Sequence, residues 1–258
     1  MSTAFDHIAV DYDQDFTDTA IGKLQRERVY HFLKPILKSN QSVLELNGGT
    51  GKDAAWIAAQ VKQVLSTDLS VDMMQYAASK HQKENLRFQP LDINALNQLS
   101  DPFDLIFSNF GGLNCLSPEA FQLFFKHAAD TLTTQGDLVL VIMGRKCLWE
   151  RFYFSLKGNS KSAFRRKSKS AIDAQVGKFT VPTWYYAPKE VKAFAQGYFT
   201  VEQVKPVGSF VPPSYLNPFF ESKPALLNTL FTFEKTIGSS SNWANYADHY
   251  FIHLKKRA

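Results

Sequence analysis

The sequence predicts an α/β fold: an open, mostly parallel seven-stranded sheet with helices on both faces. Short apolar runs alternate with amphipathic helical stretches from about residue 42 onward. One run, Leu138-Val139-Leu140-Val141-Ile142-Met143, is continuously apolar, as in a strand buried on both faces. A third stretch, Val43-Leu44-Glu45-Leu46, passes through Asn47-Gly48-Gly49-Thr50-Gly51 into an alanine-rich helical pattern. That is a strand, a tight turn and a helix start, which in an open sheet forms a ligand crevice at the carboxyl end of the strand.

The elements follow in order. Ile21, Leu24, Val29, Phe32, Leu33 and Ile36 recur at helical spacing, and Pro35 ends or kinks that helix. The glycine turn separates a strand at about 42–47 from a helix whose apolar side is Ala55, Ile57, Ala58 and Val61. Val64–Asp68 reads as a second strand, and Ser70 as the N-cap of a helix over 71–80 with Asp72 in its first turn. Leu86-Arg87-Phe88 is a short third strand leading to Leu91-Asp92-Ile93. Phe103–Ser108 is the fourth, ending at Asn109-Phe110-Gly111-Gly112. Ser117-Pro118-Glu119 starts a helix with the buried stripe Phe121, Phe124, Phe125, Ala128 and Leu132. Thr134-Gln135-Gly136 turns into the long apolar strand. Residues 146–157 read as an aromatic helix and 158–178 as a basic, Ser-rich loop. Strand character returns at about 198–208 and 246–255, with a helical pattern near 225–236 and a loop at 238–242.

The 258 residues are 45% hydrophobic and 14% aromatic, ample for a buried core. Cys115 and Cys147 are the two cysteines and have no paired spacing, so neither a disulfide framework nor a metal site is suggested. No signal peptide or membrane-length apolar stretch is visible, and a cytoplasmic soluble protein is expected. Net charge is +5, but residues 151–178 alone carry +7, leaving the remainder at −2. Basicity therefore belongs to one segment.

Two ligands compete for the turn. Gly49-x-Gly51-x-x-Ala54, with Asp68 downstream, fits a dinucleotide pattern and permits NAD. S-adenosylmethionine (SAM) fits better. Glu45 at the strand end would repel a pyrophosphate yet suits a ligand with ammonium and sulfonium charges. Asp92 is placed to accept from an adenine amino group, and Ser108-Asn109-Phe110 closes the fourth strand beside the reactive centre.

Taken together, these segments resemble a class I SAM-dependent methyltransferase of the small-molecule type that includes the quinone-biosynthesis enzymes, with a Rossmann-like fold. Glu45–Gly51 is similar to that family's first motif, and Thr67-Asp68-Leu69-Ser70-Val71-Asp72-Met73-Met74 to its second. Phe103–Ser108 and Gly136–Leu140 resemble its fourth and fifth strands, and Phe5, Asp6 and Tyr12-Asp13 its preceding segment. The resemblance covers about residues 5–145 well. It implies that Glu45, Gly49 and Gly51 line the methionine end, Asp68 binds the ribose hydroxyls, Leu69 and Met73 flank adenine, and Asp92 reads its amino group. The expected cofactor set is completed by Asn47, Gly48, Ile93, Ser108 and Asn109. Asn47 departs from the family's usual glycine; it is among the residues that tolerate positive φ, and its side chain narrows the approach to SAM.

Methyl transfer from a sulfonium needs a general base only where the nucleophile must lose a proton. His7, Tyr12, Asn114 and His249 are the candidates. The expected division is an N-terminal helical lid (1–40), a SAM-binding core (41–145), a basic and aromatic insert on the acceptor side (146–185) and C-terminal strands (186–258), in one domain. Trp149, Phe152, Tyr153 and Phe154 suit an apolar pocket for a small-molecule acceptor. The 151–178 cations suit an anionic or membrane surface, or are a solvated loop. Nucleic acid is disfavoured, because few aromatics interleave with the cations. The alternatives are an NAD(P)-dependent oxidoreductase and a SAM-binding protein without transfer activity.

Overall fold

A computed structural model describes residues 13, 17–176 and 179–258. Phe5, Asp6, His7 and Tyr12, singled out above, lie outside the described residues. The strands are β1 (Ser42–Leu46), β2 (Gln63–Asp68), β3 (Leu86–Pro90), β4 (Phe103–Ser108), β5 (Leu132–Met143), β6 (Ile172–Val176), β7 (Phe179–Thr183), β8 (Phe199–Val207) and β9 (His249–Lys256). Seven of them form one sheet in the order β3-β2-β1-β4-β5-β9-β8. The first five run parallel, and β9 lies antiparallel between β5 and β8.

Alternation along each strand builds two cores. Leu44, Leu46, Ile106, Leu138 and Leu140 pack against Phe121, Phe124 and Phe125 of α4 (Pro118–Thr131) and Val191 of α6 (Pro188–Ala195). Val43, Leu105, Phe107 and Val139 pack on the other face, against Val29 and Phe32 of α1 (Ala20–Leu33) and Ile57 of α2 (Lys52–Ala58). Burying each such side chain stabilises the fold by about 1.5–3 kcal/mol. Helix α3 (Val71–Lys80) is capped by Ser70, whose Oγ accepts from Met73 N at 3.1 Å. Beyond the sheet, Ile21, Val211, Leu216, Phe220 and Phe231 form a third cluster that receives Trp149 and Tyr153 from α5 (Leu148–Leu156). Helix α7 (Pro224–Thr236) supplies Phe231. Among the described residues no helix is long and apolar enough to cross a membrane.

Three expectations change. Leu132 is not part of the α4 stripe; it opens β5, because Phe103 pairs with Leu132 while Leu105 pairs with Asp137. Thr134-Gln135-Gly136 is therefore a bulge inside one strand, with Gln135 at φ 60. Segment 158–178 is not simply a loop: β6 and β7 form an antiparallel hairpin that joins 172–176 to 179–183. The 238–242 loop is taken up by short 3-10 turns, Ile237–Ser239 and Ser241–Asn245.

Candidate functional site

The chain leaves β1 for β2 on one side of the sheet centre and reaches β4 on the other, so the crevice opens outside the carboxyl ends of β1 and β4. Asn47 follows β1 at φ 55, and Gly49 and Gly51 continue at φ 53 and 77. Gly48 lies against buried polar groups: a Cβ there would stand 2.1 Å from Ser66 Oγ and 2.7 Å from Glu45 Oε2. A Cβ on Gly49 would meet nothing within 4 Å, so the loop turns this glycine toward open space. Asp68 fastens the loop. Its Oδ2 accepts from Gly49 N and its Oδ1 from Ser70 N, both at 3.0 Å.

Asn47 bridges the two strands at the centre of the crevice. Its Nδ2 donates to Ser108 Oγ at 3.1 Å, and its side chain packs so closely on Gly112 that a Cβ there would lie 2.3 Å from Asn47 Cγ. The departure from glycine at position 47 is thus matched by a glycine at 112.

Three acids surround the loop. Glu45 is buried and accepts from Ser66 Oγ at 2.5 Å. Burial first, and then the Asp53 carboxylate, push Glu45 well above the usual range for a glutamate. Asp53, in the first turn of α2, accepts from Arg26 Nε at 2.7 Å, Tyr30 OH at 2.6 Å and Asn109 Nδ2 at 2.9 Å. The Arg26 guanidinium also lies 5.3 Å over the Phe110 ring, and Phe110 has the strained φ of 39. Behind the loop, Thr50 Oγ1 donates to Asp13 Oδ1 at 2.7 Å and Lys80 forms an ion pair with the same carboxylate. Burial disfavours the Asp13 anion, but Lys80 and Thr50 outweigh it and hold its pKa below the ordinary value.

The remaining expected residues divide. Leu69 is 56% exposed on the rim beside Asp68. Asp92 is exposed, and its Oδ1 caps the turn Ile93–Gln98 by accepting from Asn94 N at 2.8 Å. Ile93 packs partly into the first core. Met73 is corrected: at 1% exposure, clustered with Met74 and Ala77, it is core and offers almost no surface to a ligand. Ser108 and Asn109 are also turned inward, their side chains engaged by Asn47 and Asp53.

Of the catalytic candidates, His7 and Tyr12 lie outside the described residues. Asn114 is structural. Its Nδ2 donates to Met143 O and Trp184 O, and its Oδ1 accepts from Met143 N, which engages both ends of the amide. His249 is different. It opens β9 opposite Met143, the carboxyl end of β5, and meets Phe110 edge-to-face at 5.4 Å. Its Nδ1 is sealed from solvent 3.2 Å from Asp248 Oδ2, an ionic contact without hydrogen-bond alignment. Nε2 has no hydrogen-bond partner among the described residues, and the 11% of the side chain that meets solvent lies away from Nδ1. Asp248 in turn accepts from Arg166 Nη2 at 2.7 Å and Gln25 Nε2 at 3.3 Å. Burial opposes its ionisation, but His249 and Arg166 prevail and hold its pKa far below the aspartate range.

Sequence reasoning missed Arg26, Tyr30, Asp53 and Asp248. Arg26 and Tyr30 stand four residues apart on one helix, but only the tertiary approach of α1 to the glycine loop gives that spacing a partner.

A methyltransferase domain family matches residues 43–136, the span that runs from β1 to the β5 bulge. Residues 43–136 thus carry a methyltransferase domain. It is 29% identical over 216 residues to the demethylmenaquinone methyltransferase of Bacteroides fragilis, covering 79% of this chain and 82% of that protein. Among solved structures it resembles an S-adenosylmethionine-dependent methyltransferase from Clostridium acetobutylicum, with TM-score 0.59, 14% identity and 98% and 99% of the two chains covered. It also resembles the N-methyltransferase NodS from Bradyrhizobium japonicum in complex with S-adenosylhomocysteine, with TM-score 0.55, 12% identity and 93% and 90% covered. At these identities the structural likenesses speak for the fold.

Proposed function

We propose that this methyltransferase acts on a small, partly apolar acceptor whose nucleophile loses a proton, and that His249 is the base that takes it. The observation that carries this reading is the Asp248–His249 pair: one ring nitrogen is held against a buried carboxylate, and the other has no hydrogen-bond partner among the described residues. A carboxylate beside Nδ1 holds the imidazole in place. Phe110, two residues past the end of β4, stands between this pair and Arg26. The Bacteroides fragilis relative is named for demethylmenaquinone, which belongs to the proposed acceptor class.

For the donor site we propose Glu45, Asn47, Gly48, Gly49, Gly51, Asp68, Leu69, Asp92 and Ile93. The residues fit a cationic ligand: Glu45, Asp53 and Asp68 interact electrostatically around the loop, with Arg26 as the cation among them. The Asp53 and Asp68 carboxylates disfavour the pyrophosphate of NAD(P), and this weighs against the oxidoreductase alternative. When bound, SAM supplies an activated methyl group, so the protein's task is to position and desolvate the reactants. Asp68 is already held by the loop it serves. Residues 1–40 are proposed as a lid, tied to the loop through Asp13, and 146–185 as the acceptor side. A cytoplasmic location is proposed from the two unbridged cysteines.

The test is His249→Gln, assayed by S-adenosylhomocysteine release with demethylmenaquinol and a panel of small phenols. kcat should fall about 10²- to 10⁴-fold, the range for loss of a general base. The acidic limb of the kcat/KM–pH profile should vanish while calorimetric SAM affinity is kept. A variant with wild-type rate and an unchanged pH profile rules His249 out as the base.

A further inference from the structure

Helix α5 carries an apolar stripe on its outer side. Leu148, Phe152 and Leu156 are spaced i, i+4, i+8 and therefore share one face. They are 40%, 62% and 72% exposed. The opposite side of the helix is fully used: Trp149 and Tyr153 pack on the third cluster, Trp149 Nε1 donates to Phe210 O at 3.0 Å, and Glu150 is buried between Arg165 and Arg166. The outward stripe is thus not a face left loose by a poorly seated helix.

Charge around the stripe is one-sided. Arg165 and Arg166 are neutralised by Glu150 and Asp248. Arg151, Lys157, Lys161, Lys167 and Lys169 form no ion pair among the described residues, and the four lysines are exposed. Two of these cations, Arg151 and Lys167, lie over the exposed ring of Phe164, at 5.6 and 4.4 Å. Over residues 151–178 the sole acid is Asp173. Exposed aliphatic and aromatic side chains followed in the chain by lysines that form no ion pair among the described residues are the chemistry of an anionic lipid surface, which takes the apolar groups below the headgroups and the cations at their level. Nucleic acid would use the cations but leave Leu148 and Leu156 without a role, since aliphatic side chains do not stack on bases.

We propose that the α5 stripe and the lysines that follow it in the chain dock this methyltransferase on anionic lipid bilayers. Its occupancy does not depend on the acceptor's identity.

Vesicle co-sedimentation tests this with the full chain. Phosphatidylcholine vesicles with phosphatidylglycerol should carry the protein into the pellet, and pure phosphatidylcholine vesicles should not. The double variant Phe152→Ser/Leu156→Ser changes only exposed positions, and its melting temperature checks its fold. It should lose about tenfold or more in partitioning onto the anionic vesicles, as should Lys157→Glu/Lys161→Glu/Lys167→Glu. Wild-type protein that stays in the supernatant with anionic vesicles overturns the proposal. So does a folded serine variant that partitions as the wild type does. Light scattering that shows a wild-type dimer dissolved by the serine variant would assign the stripe to a second copy of the chain, and would equally overturn it.

Discussion

Arg166→Leu should be among the most damaging single changes outside the core, although the residue lies in the segment that reads from sequence as a basic loop. The Arg166 side chain is buried and makes four hydrogen bonds. Nε donates to Glu150 Oε2 at 2.9 Å, Nη2 to Asp248 Oδ1 at 2.7 Å, and Nη1 to Asp248 O at 2.9 Å and Gly144 O at 3.4 Å. It therefore joins α5, the residue after β5 and the residue before β9. Leucine would leave Glu150 its bonds from Arg165, at 2.7 and 3.1 Å. Asp248 would keep only Gln25 and His249. Removing one partner of a buried ion pair costs about 3–5 kcal/mol, a large part of the roughly 5–15 kcal/mol by which proteins are stable. At about 2–4 °C per kcal/mol for a chain near this size, the melting temperature should fall by about 6–20 °C. Circular dichroism melts near neutral pH measure it, with Lys161→Leu as an exposed control that should stay within about 0.5 kcal/mol of wild type. The pH dependence has a definite sign. Asp248 has a depressed folded pKa, so its contribution is complete above the unfolded value of about 3.9 and is lost as pH falls through the folded pKa. The gap between wild type and Arg166→Leu should accordingly be widest at neutral pH and narrow in acid. A melting temperature within about 2 °C of wild type, or a gap that widens in acid, would refute the reasoning.

Two further changes probe the crevice. Gly48→Ala drives a methyl into Ser66 and Glu45 between β1 and β2; about 1–3 kcal/mol of stability should be lost, with SAM affinity reduced in a calorimetric titration, and unaltered melting and binding would contradict the packing. Asn47→Gly removes the side chain wedged between Ser108 and Gly112 and relieves a non-glycine residue at φ 55. SAM binding should tighten about three- to tenfold, roughly 0.7–1.4 kcal/mol, and weaker binding would mean that Asn47 holds the crevice open instead of narrowing it.

By itself the sequence determined the sheet and its crevice. Apolar runs at 43–46, 103–107 and 138–143, caps at Ser70 and Ser117, and the loop from Asn47 to Gly51 are all local signals. They are read within a few residues, because hydrophobic periodicity, capping and positive φ act over that range. Positive φ at Asn47 was legible for the same reason. Tertiary structure alone decided what the polar side chains do. Met73 and Asn114 carry the same residue types in either role, and only packing made one core and the other a clasp between Met143 and Trp184. Arg166 and Asp248 are 82 residues apart, as remote as any loop cation and strand-end acid, and no local pattern encodes their pairing. His249 acquires its candidate role only because β9 returns antiparallel to the end of β5 and brings Asp248, Arg166 and Phe110 around it. A side chain's partner is a property of chain return, which sequence spacing does not contain.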